Sequence, residues 1–143
     1  MHHQAALKHC QGLAQPGPAL PEESKKVLGF WDGDQLVAIA DLLRGYPHEH
    51  TASIGLLQVH GLRQGHGTGA AAYRELQRYV EREWLEVRTL RLAVVDTNAQ
   101  QAQGFWVRQG FEATGEVKPY KHDTVESVAR LYEKQLGRTQ PQA

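Results

Sequence analysis

One cysteine, Cys10, is all the chain has, so no internal disulfide can form, and the expected setting is a reducing cytoplasm. Charge of one sign is lacking too. Sixteen Lys and Arg face 16 Asp and Glu, which leaves no global field to draw the chain to nucleic acid or a membrane surface. No apolar run approaches the roughly 20 residues that span a bilayer, and the first residues lack the apolar core of a signal peptide. Neither nucleic acid nor membrane is expected as a partner. A metal set is missing as well. His2, His3 and His9 stand in a polar terminal stretch without a convincing set of co-ligands and read as a tail.

What is present suits one domain: 143 residues, 41% of them hydrophobic, are enough to bury a core. Residues 1–25 are weakly patterned and broken by Pro16, Pro18 and Pro21, with at most a short helix at 4–12 or 22–26. The domain is expected over 26–137, followed by a tail at 138–143. Apolar runs at 27–31 and 36–40 flank Asp32-Gly33-Asp34 and predict a β-hairpin. A second turn at 45–50 carries Tyr46-Pro47, and a third strand follows at 52–59. Ala72, Leu76, Val80 and Trp84 recur every four residues and predict a helix from about Gly67 to Trp84. A strand at 90–95 should lie parallel to the third if that helix is a right-handed crossover. Asp96, Thr97 or Asn98 can cap a second helix, and Gly110-Phe111 stops it. Residues 111–120 and 125–136 complete an antiparallel pair. The order β-β-β-α-β-α-β-β with a mixed sheet places the chain in the α/β (α+β) class.

The most informative stretch is the turn between the third strand and the first helix, Gln64-Gly65-His66-Gly67-Thr68-Gly69. A helix N-terminus carries unpaired N–H groups and the positive end of the dipole, and glycines let an anion approach them closely. A phosphate or pyrophosphate is the natural guest, although a tight strand-to-helix turn alone would read the same way. A Walker loop is excluded because Ala70 and Ala71, not Lys and Ser/Thr, follow Gly69. A dinucleotide site needs its glycines directly after the strand, and residues 60–64 intervene; that reading would require stabilisation by NAD.

Gln64-x-x-Gly67-x-Gly69 resembles the acetyl-CoA pyrophosphate motif of the GNAT N-acetyltransferase superfamily. Asn98-x-x-x-Ala102-x-x-Phe105-Trp106-x-x-x-Gly110-Phe111 resembles a second motif of that family, and the resemblance covers about 26–136. It implies a GNAT-like fold with a shortened N-terminal part, because residues 1–26 are too few for the strand and two helices that usually come first. The first strand would be missing or shortened, leaving a sheet edge that a second copy of the chain, in a homodimer, would cover. It also implies transfer of an acetyl group from acetyl-CoA to a primary amine of a small molecule or peptide, by direct attack in a ternary complex. Backbone groups of Leu57 and Val59 would bond the pantetheine arm like an added strand. Those of Gln64, Gly65, His66, Gly67, Thr68 and Gly69 would hold the pyrophosphate. Asn98 would stand near the pantetheine, a role compatible with capping the helix.

The family's pattern is broken at one place. Trp106 stands where many members have a Tyr that protonates the leaving thiolate, and an indole N–H is no acid near neutral pH. Trp106 then packs, as a wall of the cofactor arm, and water or Tyr120 would supply the proton. For the base, Asp41, His48, Glu49 and His50 are expected beside the cleft, each also readable as a surface polar residue. The alternative function is a non-catalytic acyl-CoA-binding or sensing protein.

Overall fold

The computed structural model describes residues 8–9, 24–96, 99–122 and 124–137. Seven strands and two α-helices follow one another as β1 (Lys8–His9), β2 (Lys25–Asp32), β3 (Gln35–Arg44), β4 (Thr51–Val59), α1 (Thr68–Glu83), β5 (Thr89–Val95), α2 (Ala99–Arg108), β6 (Glu112–His122) and β7 (Val125–Gln135). One mixed sheet holds all the strands in the order β1-β2-β3-β4-β5-β7-β6, antiparallel except where β4 and β5 run parallel.

Local sequence explains the joints. Asp32 pairs with Gln35 across a two-residue turn whose Gly33 has φ of 60°, a conformation that glycine adopts without cost. α2 ends in a Schellman motif. The Phe111 N–H donates to the Trp106 carbonyl and the Gly110 N–H to that of Val107, both at 3.0 Å, while the Phe111 and Trp106 rings meet at 5.2 Å. The sequence stop at Gly110-Phe111 is therefore real. Of the spans expected for a short helix, only Ser24 has helical (3-10) backbone among the described residues. Lys8 and His9 pair with Gly29 and Leu28 as a strand, and Lys25 already belongs to β2. Pairing to an existing sheet edge satisfies backbone groups that a one-turn helix would leave open. A first strand is thus present at Lys8–His9; the rest of the N-terminal segment, with Cys10, His2 and His3, lies outside the described residues.

Both helices pack on one face. Ala72, Tyr73, Leu76 and Val80 of α1, and Trp84 at its end, are buried against Ala40, Leu42, Ala52, Ile54, Leu90 and Leu92 of the sheet. Tyr73 also meets the rings of Trp106 and Phe111 edge-on at 5.7 and 5.6 Å, which ties α1 to α2. The alternation of the paired strands sends Val27, Ile39, Asp41, Leu43 and Ser53 to the other face, over which no helix packs among the described residues. No described helix is long and apolar enough to cross a membrane.

Candidate functional site

β4 is shared unequally between its neighbours. It pairs with β5 only from Thr51, opposite Thr89, to Ile54, opposite Leu92, whereas its pairing with β3 continues to Val59. The register on β3 shifts at this point. Asp41 lies opposite Leu56 and Leu42 opposite Ile54, so Gly55 is an extra residue in a β-bulge. A bulge turns a strand, and the two parallel strands part directly after it.

The open half of β4 presents bare backbone. His60 N–H donates to the Val37 carbonyl at 2.8 Å, and bonded positions alternate along an antiparallel ladder. Gln58 is therefore bonded to β3, while Leu57 and Val59 turn their N–H and C=O groups towards the gap left by β5. The Val59 carbonyl accepts a bond there from Gln64 Nε2 at 3.2 Å.

From this edge the chain enters a 3-10 turn (Gly61–Arg63), capped by His60 Nδ1, which accepts from the Leu62 N–H at 3.1 Å. Arg63 reaches back to Asp32 at 2.9 Å and to Gln35 at 3.1 Å, fastening the turn to the β2–β3 hairpin. Gln64 fastens its other end to Val59. Between these ties and α1 lie Gly65 and Gly67, at φ of 79° and 77°, with open space where a Cβ would stand. Gly67 is the N-cap of α1 and brings no side-chain cap, which leaves the N–H groups of the first turn to be met by solvent or a ligand. His66 is exposed in this turn. Thr68 is 3% exposed, and its Oγ1 has no hydrogen-bond partner among the described residues. The third glycine has a different duty. A Cβ on Gly69 would come within 3.2 Å of Phe105 and 3.5 Å of Val59, so Gly69 lets α1 lie close to α2 and β4. The arrangement suits an elongated guest with an anionic group on the turn and an amide-bearing arm along β4.

Trp106 is half-buried in a cluster with Tyr73, Phe105 and Phe111, at ring distances of 5.7, 4.9 and 5.2 Å. It packs, as its chemistry requires. Asn98 lies outside the described residues. Tyr120 is 39% exposed on β6, the far edge strand, opposite Ser127. That row lies beyond Ala129, the last β7 residue paired with β5, so Tyr120 overhangs the same end of the sheet as the opening.

The structure separates the candidate bases. His48 and Glu49 sit in the β3–β4 turn, at the closed end of β4, with the paired rows 51–54 between them and the opening. The expectation that both stand beside the cleft is corrected here: a hairpin turn lies at the start of β4, and a crossover site lies at its end. His50 is likewise engaged at the closed end, its Nδ1 3.0 Å from the Glu86 carbonyl. Asp41 is the exception. A Cβ placed on Gly55 would lie 3.7 Å from its Cγ and Oδ2, so its carboxylate stands over the bulge. Burial raises its pKa above the usual carboxylate range, and Lys25 opposes that rise. Gly55, the Arg63 tether and the Tyr73 contact to Trp106 escaped the sequence reading. Only Gly55 had a signal, a glycine inside a strand pattern.

The comparisons with known proteins agree with this layout. The chain's fold is similar to that of the ribosomal-protein-S18-alanine N-acetyltransferase of Escherichia coli (TM-score 0.68, 18% identity, covering 83% of this chain and 74% of that one). It is similar to a Bacillus subtilis acetyltransferase in complex with CoA (TM-score 0.64, 15% identity, 80% and 79% covered). An acetyltransferase of Thermus thermophilus has TM-score 0.63 and 23% identity over 80% of this chain and 66% of its own. No curated protein matches the sequence. The profile of the Acetyltransferase (GNAT) family matches residues 6–111, most of the chain, from β1 to the end of the second motif at Phe111. The chain belongs to the GNAT acetyltransferase family.

Proposed function

We propose that the chain transfers an acetyl group from acetyl-CoA to a primary amine, the amine attacking the thioester directly while both are bound. The observation that carries this reading is the pairing of two features within a few residues: β4 parts from β5 after Ile54, and the strand so exposed runs into an uncapped helix behind two left-handed glycines. Backbone N–H groups of residues 64–69 would hold the pyrophosphate, and the backbone groups of Leu57 with the Val59 N–H would bond the pantetheine arm, the Val59 carbonyl being held by Gln64. The partnerless hydroxyl of Thr68 fits the same guest, since a buried hydroxyl without a partner costs roughly 1–3 kcal/mol that a bound acceptor oxygen would recover. Asn98 near the pantetheine rests on the resemblance of its motif. Two neighbours support the guest: the Bacillus subtilis protein was solved with CoA, and one from Elizabethkingia anophelis with acetyl-CoA bound. The thioester supplies the activated acetyl group; the protein's part is to align it with the amine and exclude water. An amine acceptor is favoured by the Escherichia coli neighbour, named as an N-acetyltransferase of an alanine of ribosomal protein S18.

A second reading, an acyl-CoA-binding protein without turnover, is favoured by Trp106, which occupies the usual acid's place without being one. Two measurements separate the readings: thermal stabilisation by acetyl-CoA, expected from both, and thiol release with a panel of amines, expected only from the transferase. Stabilisation without thiol release from any amine would leave the second reading standing; stabilisation by NAD and none by coenzyme A would remove both.

A further inference from the structure

Resting on the transferase reading, we propose that Asp41 receives the acceptor's ammonium group, takes its proton, and selects cationic primary amines that approach from the helix-free face of the sheet. The placement is specific to this chain. Asp41 stands in mid-β3 opposite Leu56, and its carboxylate lies over Gly55, 3.7 Å from where a Cβ on that residue would stand. Ile54, one residue before that glycine, is the last of β4 paired with β5, so the carboxylate borders the row where the strands open. β4 itself, Thr-Ala-Ser-Ile-Gly-Leu-Leu-Gln-Val, carries neither an acid nor a histidine. β4 offers no proton acceptor of its own, and Asp41 is the carboxylate of β3, its partner strand.

The surroundings suit a guest cation. Asp41 is half-buried beside Val27, Ile39 and Leu43, and among the described residues no hydrogen bond or ion pair engages it. A carboxylate at such a site normally has a partner. On the same face Lys25 of β2 is the nearby cation. Arg91 of β5 faces this side as well, but Glu116 holds it at 2.5 Å and Glu133 at 3.0 Å. Arg91 is thus committed to its own two glutamates and does not neutralise Asp41. Ser53 Oγ donates to the Tyr46 carbonyl at 2.7 Å, which folds the start of the β3–β4 turn over this face as a border.

The step balances without a further reactant. The ammonium gives one proton to an Asp41 oxygen, and the freed nitrogen lone pair forms the C–N bond to the thioester carbonyl. The C–S bond then breaks, the second proton leaves the nitrogen for solvent water, the thiolate takes a proton from solvent, and Asp41 returns its proton to solvent before the next turnover.

The test uses acetyl-CoA with three probes: an alanyl peptide, a lysine amide and a linear diamine. With a probe the native protein acetylates, Asp41→Asn is expected to lower kcat/KM at pH 7 by roughly 100-fold or more, while the acetyl-CoA Kd stays within about twofold. Asp41→Glu should restore part of the rate. Lys25→Ala should move the acid limb of the pH–rate profile to higher pH, because a positive charge that favours the ionised carboxylate is gone. Because burial raises the Asp41 pKa, the fold prefers the protonated form; the stability this gives is lost as pH rises, and Asp41→Asn should melt no lower than the native protein at pH 7. A purely structural ion pair would give the reverse. An Asp41→Asn rate within about threefold of native, with an unmoved acid limb, overturns the proposal alone. Native protein that binds acetyl-CoA and acetylates none of the probes overturns the transferase reading and this role with it.

Discussion

The two halves of β4 are one strand put to two uses. Residues 51–54 are locked between β3 and β5, with Thr51, Ala52 and Ile54 at 7%, 0% and 5% exposure. Residues 55–59 keep only β3, and Gly55 and Gln58 are exposed while Leu57 and Val59 are half-buried. The first half gives up both its backbone edges to the ladder and makes structure. The second keeps one edge free and can make a site. What divides them is a single inserted residue: without the bulge at Gly55, the parallel ladder could run on to Val59 and close the edge that the helix N-terminus looks onto.

The largest expected effects test that division through stability. Ile54→Ala should cost about 2–5 kcal/mol, the usual range for truncating a buried aliphatic side chain. Leu57→Ala, at a half-buried site, should cost clearly less, and denaturant titration reads both. Equal losses would mean that the open half is as integral to the core as the closed one, and the comparison would fail. Next in size is Gly67→Val. Its φ of 77° strains any β-branched residue by about 1–2 kcal/mol, and the new side chain fills open space in front of the turn. Acetyl-CoA binding, measured by calorimetry, should weaken tenfold or more. Gly67→Asn separates the two causes, because Asn tolerates this conformation. Weakening by Asn as well as Val would assign the loss to occupied space, whereas native-like binding by Asn would assign it to the backbone.

How much of this was legible beforehand follows the same divide. Periodic burial is written in the sequence, so Ala72, Leu76, Val80 and Trp84 all proved buried, and α1 runs over nearly the expected span. Glycine turns are also written there, because positive φ leaves few alternatives at Gly67 and Gly110. Register is not. Which strand end carries the opening depends on where the β4–β5 ladder stops, and that is a tertiary outcome of one bulge. His48 and Glu49 stand in the turn before β4, at the other end of the strand from the opening, whereas Asp41 lies within β3 and is brought to the bulge by the register. The two-residue β1 was also illegible, since a segment so short has no pattern of its own and forms only because the edge of β2 exists.

The smallest effect is the sharpest probe of the open half, because it changes almost nothing in volume. Thr68→Val removes the buried hydroxyl and replaces it with a methyl of similar shape. In the free protein the hydroxyl is desolvated without a partner, so its loss should leave stability unchanged or raise it by up to about 1 kcal/mol. With acetyl-CoA present the sign should reverse: if the ligand completes the hydroxyl's bonding, Thr68→Val binds it several-fold less tightly, and the mutant's thermal advantage shrinks as ligand is added. A constant advantage at every ligand concentration would show that Thr68 belongs with residues 51–54, as structure, and that the site begins only at the backbone N–H groups around it.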